Sequence, residues 1–361
     1  MKLLLAVTEN GFSFVNQAQA LAKGLEKLNI ETKAIIINDS SPFEKVLAGF
    51  NPDKIVAIGS VRDYLTLVER PLALGFTVIP WFVSEDKIEQ RYIDALNRLP
   101  LILTPSSHCR EIFIRDGVRS PSIEVLPEAV DSDFWAPLSK EKLKVFLEFI
   151  AIKNPLNISA DVDLLKIYSS GTPLMFTTGG DATSKGAQEV LQALGKLDPK
   201  IPWIYIIKTW PSVKSLQYSL EELKLAQELG IINRIRYIIG EFSQEFMRGL
   251  MNSCHIYVAP SRSEGFGLPF VEAQLCGKPV VSLKATSIHE TVIDGQTGFL
   301  ADPNSAMIPP QADIKSLASY LQMLLTDKQL RERMGRNARK HAKAKYSTSV
   351  IAQKMLTFIQ V

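Results

Sequence analysis

The sequence predicts an α/β protein of two doubly wound domains, and three observations carry that expectation. Short runs rich in Ile, Leu and Val recur without apolar and polar alternation: Leu3 to Val7, Lys33 to Ile37, Lys54 to Ile58, Phe76 to Ile79 and Pro100 to Thr104. Runs of that kind are parallel strands covered on both faces. Helical patterns separate them; Phe14 to Leu28 sets Ala18, Leu21, Ala22, Leu25 and Leu28 on one face, as a crossover between parallel strands requires. The whole alternation then restarts after residue 170, with Pro173 to Thr178, Trp203 to Ile207, Arg234 to Ile238, His255 to Ala259 and Pro279 to Leu283. Two Rossmann-like domains follow, 1–168 and 169–345, with a hinge in Ser139 to Gly171, where a charged helix is followed by P-L-N-I-S and S-S-G-T-P. Ligands are expected in a central cleft, at the carboxyl ends of the strands.

Composition agrees with that size. The chain has 361 residues, 46% hydrophobic and 22% charged, enough to bury two cores. No apolar run reaches the length of a membrane span, so no transmembrane segment is expected. The start, M-K-L-L-L-A-V-T-E-N, is too short for a signal sequence and reads as the first core strand. Cys109, Cys254 and Cys276 lie far apart with no C-x-x-C pair, which points to a reducing, cytoplasmic setting and to no structural zinc. The net charge of +3 is uneven: residues 1–150 hold 17 basic against 20 acidic residues (−3), the rest 24 against 18 (+6). An acidic first domain is a poor match for anionic lipid, and the basic run Arg331 to Lys345 reads as the solvated face of a terminal helix. Nucleic acid is not expected as a partner.

The chemistry is concentrated in S-R-S-E-G-F-G-L-P-F-V-E, Ser261 to Glu272, where Glu264 and Glu272 bracket a glycine turn. The unit reads as strand, glycine loop, helix, and the eight-residue spacing on a helical path would return the second carboxylate to the face of the first. Backbone N–H groups at a helix start attract an anion, and two acids accept hydrogen bonds from hydroxyls. Phosphate plus polyol is the implied ligand. Two solvated acids on a surface helix are the bland alternative for the spacing alone.

The motif is followed by G-K-P-V-V at Gly277 to Val281 and D-G-Q-T-G-F-L at Asp294 to Leu300, and preceded by V-L-P-E-A-V-D-S-D-F-W-A-P at Val125 to Pro137. With L-T-P-S-S-H-C-R-E at Leu103 to Glu111 and R-E-R-M-G-R-N-A-R-K at Arg331 to Lys340, this ordered series resembles the retaining family-4 glycosyltransferases of GT-B architecture. The resemblance implies transfer of a sugar from a UDP-, GDP- or ADP-sugar donor to an acceptor hydroxyl on a sugar, a lipid-linked compound or a small molecule. It implies no cofactor, retention at the anomeric carbon, and a C-terminal helix, 346–361, packing back on the first domain.

It also assigns residues. Glu272 would accept from the two ribose hydroxyls and Glu264 from the donor sugar, while Gly265, Phe266, Gly267 and Leu268 lend amides. Lys185 matches the lysine that neutralises the diphosphate; it reads otherwise as an exposed helix-end lysine. Glu264 and Lys185 are the catalytic candidates. The family's arginine position falls on Gly179 or Gly180, whose amides remain as donors, with Lys208 as a replacement charge or a plain strand-end lysine. Gly240, after the third strand of the second domain, would approach the base. Gly11 would approach donor phosphate, or serve a turn of positive φ. Asp131/Asp133 and Asp161/Asp163 form D-x-D patterns that lie in a family turn and in the linker, and no metal site is expected there. The histidine that many relatives carry after the fourth strand is replaced by V-I-P-W-F-V-S-E-D, where Trp81, Ser84 or Glu85 could line the acceptor site and none is assigned a role. A GT-B protein that keeps nucleotide binding and has lost catalysis, acting as a partner subunit, is the alternative function. Oligomeric state is left open.

Overall fold

Most of the apolar runs become strands because they are buried on both faces; the edge strand Glu31–Ile37 is the exception, with only Ile37 fully buried. β1 (Lys2–Thr8), β2 (Glu31–Ile37), β3 (Lys54–Ser60), β4 (Val78–Val83), β5 (Ile102–Thr104) and β6 (Ile123–Val125) form one parallel sheet in the order β2-β1-β3-β4-β5-β6. β7 (Leu174–Thr178), β8 (Ile204–Thr209), β9 (Ile235–Ile239), β10 (Ile256–Ala259), β11 (Val280–Leu283) and β12 (Gly298–Ala301) form a second, ordered β12-β11-β10-β7-β8-β9. β6 and β12 were not expected from the sequence. This computed structural model describes residues 1–8, 12–37, 43–85, 87–153, 164–304 and 310–359, so Gly11 lies outside the described residues.

The period-2 pleat divides each strand between two cores. In the first sheet Leu4, Ala6, Ile55 and Ala57 face Phe43, Leu67 and Phe113, while Leu3, Leu5, Val56 and Ile58 face Ala18, Leu21 and Leu25. Trp81 belongs to that second core: it is buried and its indole N–H donates to the Leu126 carbonyl at 2.9 Å. Of the three residues considered for the acceptor side, Trp81 is thus a core residue. In the second sheet Met175, Tyr205, Ile207, Val258 and Val281 pack under Leu191, Leu194, Leu317 and Leu321.

The chain divides into two units, Met1–Ser132 with Lys343–Val361, and Asp133–Ala342. The division falls earlier than the expected 168/169. The charged helix Lys140–Lys153 is not a free linker but part of the second unit, because Phe146 packs edge-on against Phe246 at 5.5 Å and the Leu138 N–H donates to the Asn252 side-chain carbonyl at 2.8 Å. The last helix, Thr348–Ile359, belongs to the first unit and buries Ile351, Ala352, Met355 and Ile359 beside the helix Phe12–Glu26. The two helices meet at Gly24, where an added Cβ would stand 2.2 Å from the Thr348 carbonyl oxygen. In an open helix Gly→Ala stabilises by about 1 kcal/mol. Here Gly24→Ala is expected to cost about 1–3 kcal/mol instead, the price of overpacking a closed contact, read as a lower urea midpoint.

Candidate active site

Each sheet reverses its order of winding once, between β1 and β3 in the first unit and between β7 and β10 in the second. At such a point the crossovers depart to opposite sides, so the loops after the two strands splay and leave a crevice at their carboxyl ends. In the second unit the loops at that end of the sheet carry most of the residues singled out in the sequence, those after β7 and β10 beside the crevice itself. Glu264 to Gly267 follow β10, Gly179 to Lys185 follow β7, Lys208 ends β8 and Gly240 follows β9.

The glycine turn ends at Gly267, whose φ of +90° opens the helix Leu268–Leu275, with Pro269 in the first turn. Proline suits that place because its missing N–H has no partner there. Glu264 therefore stands in the loop before the helix, and the helical-face account of the Glu264 and Glu272 spacing does not hold. What holds Glu264 is Ser287, which donates to its carbonyl from both N–H (3.4 Å) and hydroxyl (2.9 Å). The carboxylates still bear on one spot: after burial itself, Glu264 and then Glu272 push the hydroxyl of buried Tyr257 well above its ordinary value.

Lys185 and Glu264 form an ion pair, with only 16% and 8% of their side chains exposed. Glu272 differs. Its carboxyl opens partly outward, has no side-chain hydrogen bond among the described residues, and is pushed up to about 8 because the protein packed around it displaces water. It therefore keeps its proton to a higher pH than an ordinary carboxylate.

The twin glycines are needed for backbone shape. Gly179 has φ +108° and a Cβ there would lie 2.1 Å from the Thr183 hydroxyl; Gly180 has φ +56°. The Gly179 N–H is spent on the Lys208 carbonyl at 2.7 Å and is not free for an anion, which corrects one expected donor. Gly240 is similarly tied, donating to Thr209 at 3.1 Å. It sits beyond the edge strand β9, three strand spacings from β10, or roughly 14 Å.

Lys208 is 4% exposed and makes no ion pair among the described residues; its ammonium lies 3.8 Å from the Trp210 ring centroid. Burial lowers it to about 8, with Glu241 opposing the shift. Five residues of this site were not singled out in the sequence: Arg262, Asp181, Glu189, Glu222 and Tyr237. Arg262 was in plain view within S-R-S-E, but its carboxylate partners are 73 and 81 residues away in sequence. The first unit has its own cavity beyond β3 and β4, about 260 Å³, lined by Phe14, Ser60, Arg62, Ser84, Glu85 and Tyr92 among others.

A buried lysine with no carboxylate costs stability. Because its folded value near 8 lies below the ordinary 10.5, the penalty is full below pH 8 and vanishes above 10.5. Lys208→Met is expected to raise stability at pH 7 by on the order of 2 kcal/mol, after allowing for the lost Trp210 contact. Melting temperatures should show that gain shrinking as pH approaches 10.5.

Comparison with known proteins agrees with this geometry. Residues 168–341 match the model of the family described as glycosyl transferases group 1. A stretch of 104 residues, 29% of this chain and 25% of the relative, is 33% identical to the capsular polysaccharide biosynthesis glycosyltransferase CapM of Staphylococcus aureus. D-inositol 3-phosphate glycosyltransferase of Kribbella flavida is 24% identical over 254 residues, 70% of this chain and 54% of that protein. The chain thus spans a quarter to about half the length of these curated relatives. Among solved structures, Anabaena HepE, in complex with UDP and glucose, has a TM-score of 0.75 at 18% identity, covering 100% of this chain and 99% of that one. Sucrose-phosphate synthase from Thermosynechococcus elongatus gives 0.73 at 16% identity, with 99% and 98% covered. The fold is that of the GT-B glycosyltransferases. On this fold the chain carries, over residues 168–341, a domain of the glycosyl transferases group 1 family.

Proposed function

We propose that this protein is a retaining glycosyltransferase that moves a hexosyl group from a nucleoside-diphosphate sugar to an acceptor hydroxyl. What supports the reading is the ion-paired Lys185–Glu264 in the loops beside the β7–β10 switch point, with Lys208 near the end of the neighbouring strand β8 and Glu272 on the helix that follows the glycine turn. Each group answers a different part of a sugar nucleotide. Lys185 and Lys208 meet the diphosphate, Glu264 the sugar hydroxyls, and Glu272 the ribose diol. Gly265 to Leu268 add the amides and the start of the helix Leu268–Leu275, whose positive end favours the leaving phosphate.

In the reaction the bond from anomeric carbon to leaving phosphate breaks as the acceptor oxygen bonds to the same face of that carbon. The leaving phosphate takes the acceptor's proton, so no side-chain base is required where the expected histidine is absent. Charge builds on the phosphate while the bond breaks, and fixed cations there lower the barrier because they need no reorientation. With two lysines supplying that charge we read the reaction as metal-independent. The cavity of the first unit, with the Phe14 and Tyr92 rings and the Ser60 and Ser84 hydroxyls in its wall, suits the acceptor.

The test is turnover across UDP-, GDP- and ADP-sugars, beginning with UDP-glucose because HepE has been solved with UDP and glucose. Removing one preorganised charge contact typically lowers turnover by about 10²–10³. Glu264→Gln and Lys185→Ala are each expected to fall in that range, and EDTA is expected to leave the rate unchanged. Binding of a donor without turnover by the native chain would instead favour a nucleotide-binding partner subunit; binding of none would end the reading. The two titrating groups give an opposed pH response. Donor affinity gains as Glu272 ionises near pH 8 and loses as Lys208 discharges over the same range. Glu272→Gln should leave only the alkaline loss, and Lys208→Met only the rise, in calorimetric titrations from pH 6 to 9.

A further inference from the structure

Lys185 and Glu264 come from loops that follow different strands, and the β7–β10 ladder pairs only Ile256 with Met175 and Tyr257 with Phe176. Beyond the last paired residues, sheet geometry does not set where either side chain stands. Something else must hold the two loops against each other.

That something is Arg262. Its guanidinium forks between two carboxylates, donating to Glu189 Oε1 at 2.7 Å and to Asp181 Oδ1 at 2.9 Å, while its backbone N–H donates to the Ser184 carbonyl at 3.0 Å. Asp181 and Glu189 stand four residues before and four after Lys185, and Arg262 two residues before Glu264. One planar group thus clasps the segment that carries the lysine from both ends, and is itself almost adjacent to the glutamate. The side chains of Asp181 and Glu189 are only 3% and 4% exposed and that of Arg262 15%, so water offers no alternative partner.

The clasp is anchored behind. Asp181 Oδ2 also accepts the Gln188 N–H at 2.5 Å, and the Asp181 N–H donates to Glu222 Oε1 at 2.9 Å. Glu222 in turn accepts the Tyr237 hydroxyl from β9 at 2.5 Å. Gly186 closes the far end: a Cβ there would lie 2.5 Å from the Pro260 carbonyl oxygen, so backbone meets backbone between the two loops. Arg262 already bridges two carboxylates, so its charge is balanced within the protein rather than standing in for the arginine expected at Gly179 or Gly180; a rigid planar fork is what the place requires, and lysine offers only a point charge.

We propose that Arg262, buttressed by Asp181, Glu189 and Glu222, is a positioning residue that sets Lys185 against Glu264 for the donor. The role rests on the transferase reading for its purpose, and on the hydrogen-bond web alone for its mechanics, so the two are tested separately. In the full-length protein without ligand, amide hydrogen exchange is compared for the native chain, Arg262→Met and Arg262→Lys. Arg262→Met is expected to speed exchange in 179–186 and 261–267 while β7, β8 and β10 stay protected, with Arg262→Lys recovering part of the protection. Unchanged loop exchange in Arg262→Met overturns the proposal whatever the protein binds. If Arg262→Met fails to fold, Arg262→Lys and Asp181→Asn are judged by the same loops, and native-like exchange in both overturns it.

The second measurement is kinetic. With the donor that the native chain turns over, Arg262→Met is expected to lose roughly a hundredfold in kcat/KM, as misplacement by about an ångström does. The loss should lie mainly in kcat, with Arg262→Lys intermediate. A change in melting temperature with kcat and KM unaltered means that Arg262 is a stabilising strut only, which also overturns the proposal. If the native chain binds none of UDP, GDP or ADP, the transferase reading fails on its own, and the exchange data still decide whether Arg262 sets the two loops.

Discussion

The constraint on which this protein depends is the direction of its strands. When every strand in a sheet runs the same way, each connection must return along a face of the sheet, and the loops that follow the strands all lie at one edge. Chemistry then has one edge per sheet on which to collect. Where the winding reverses, between β7 and β10, two neighbouring loops separate and side chains from distant parts of the sequence share a crevice. Lys185 and Glu264, 79 residues apart, come to neighbouring loops for this reason, and Arg262 ties those loops together.

Burial supplies the rest. A charge moved out of water must be paired, neutralised or left at a cost. The second unit uses all three solutions within one region. Arg262 is paired twice, Glu272 and Glu222 are shifted toward neutrality, to about 8 and about 7, and Lys208 is left with an aromatic face. Exposure alone does not tell strut from site, since Asp181 and Glu264 are both buried.

How much of this was legible follows from the range of each interaction. Strands such as Leu3 to Val7 and His255 to Ala259 announce themselves because burial on both faces leaves an unbroken apolar run. β6 does not, being three residues with a half-exposed Glu124 in the middle, and β12 is hidden in T-G-F-L, where the glycine and threonine read as a turn. Glu264, Glu272 and Lys185 were found through motif text and their chemistry, although the helical spacing offered for the two acids was the wrong reason: the helix begins only at Leu268. Nothing in the charged helix Lys140–Lys153 names its partner, and only the ring of Phe246 reveals where it docks. Asp181 and Glu222 were invisible because a buried acid and a solvated one are spelled alike.

The Lys185–Glu264 pair has one more consequence. An anion-binding site that waits empty normally draws small ions from solution, and its affinity then depends on how many of them the ligand releases. Here the lysine already holds an internal counter-ion. On the transferase reading, a phosphate arriving at Lys185 would exchange one oxyanion for another and free Glu264 at the same moment for a sugar hydroxyl. Filling one half of the site would thereby prepare the other, with Glu264 as the placeholder that keeps the two in step.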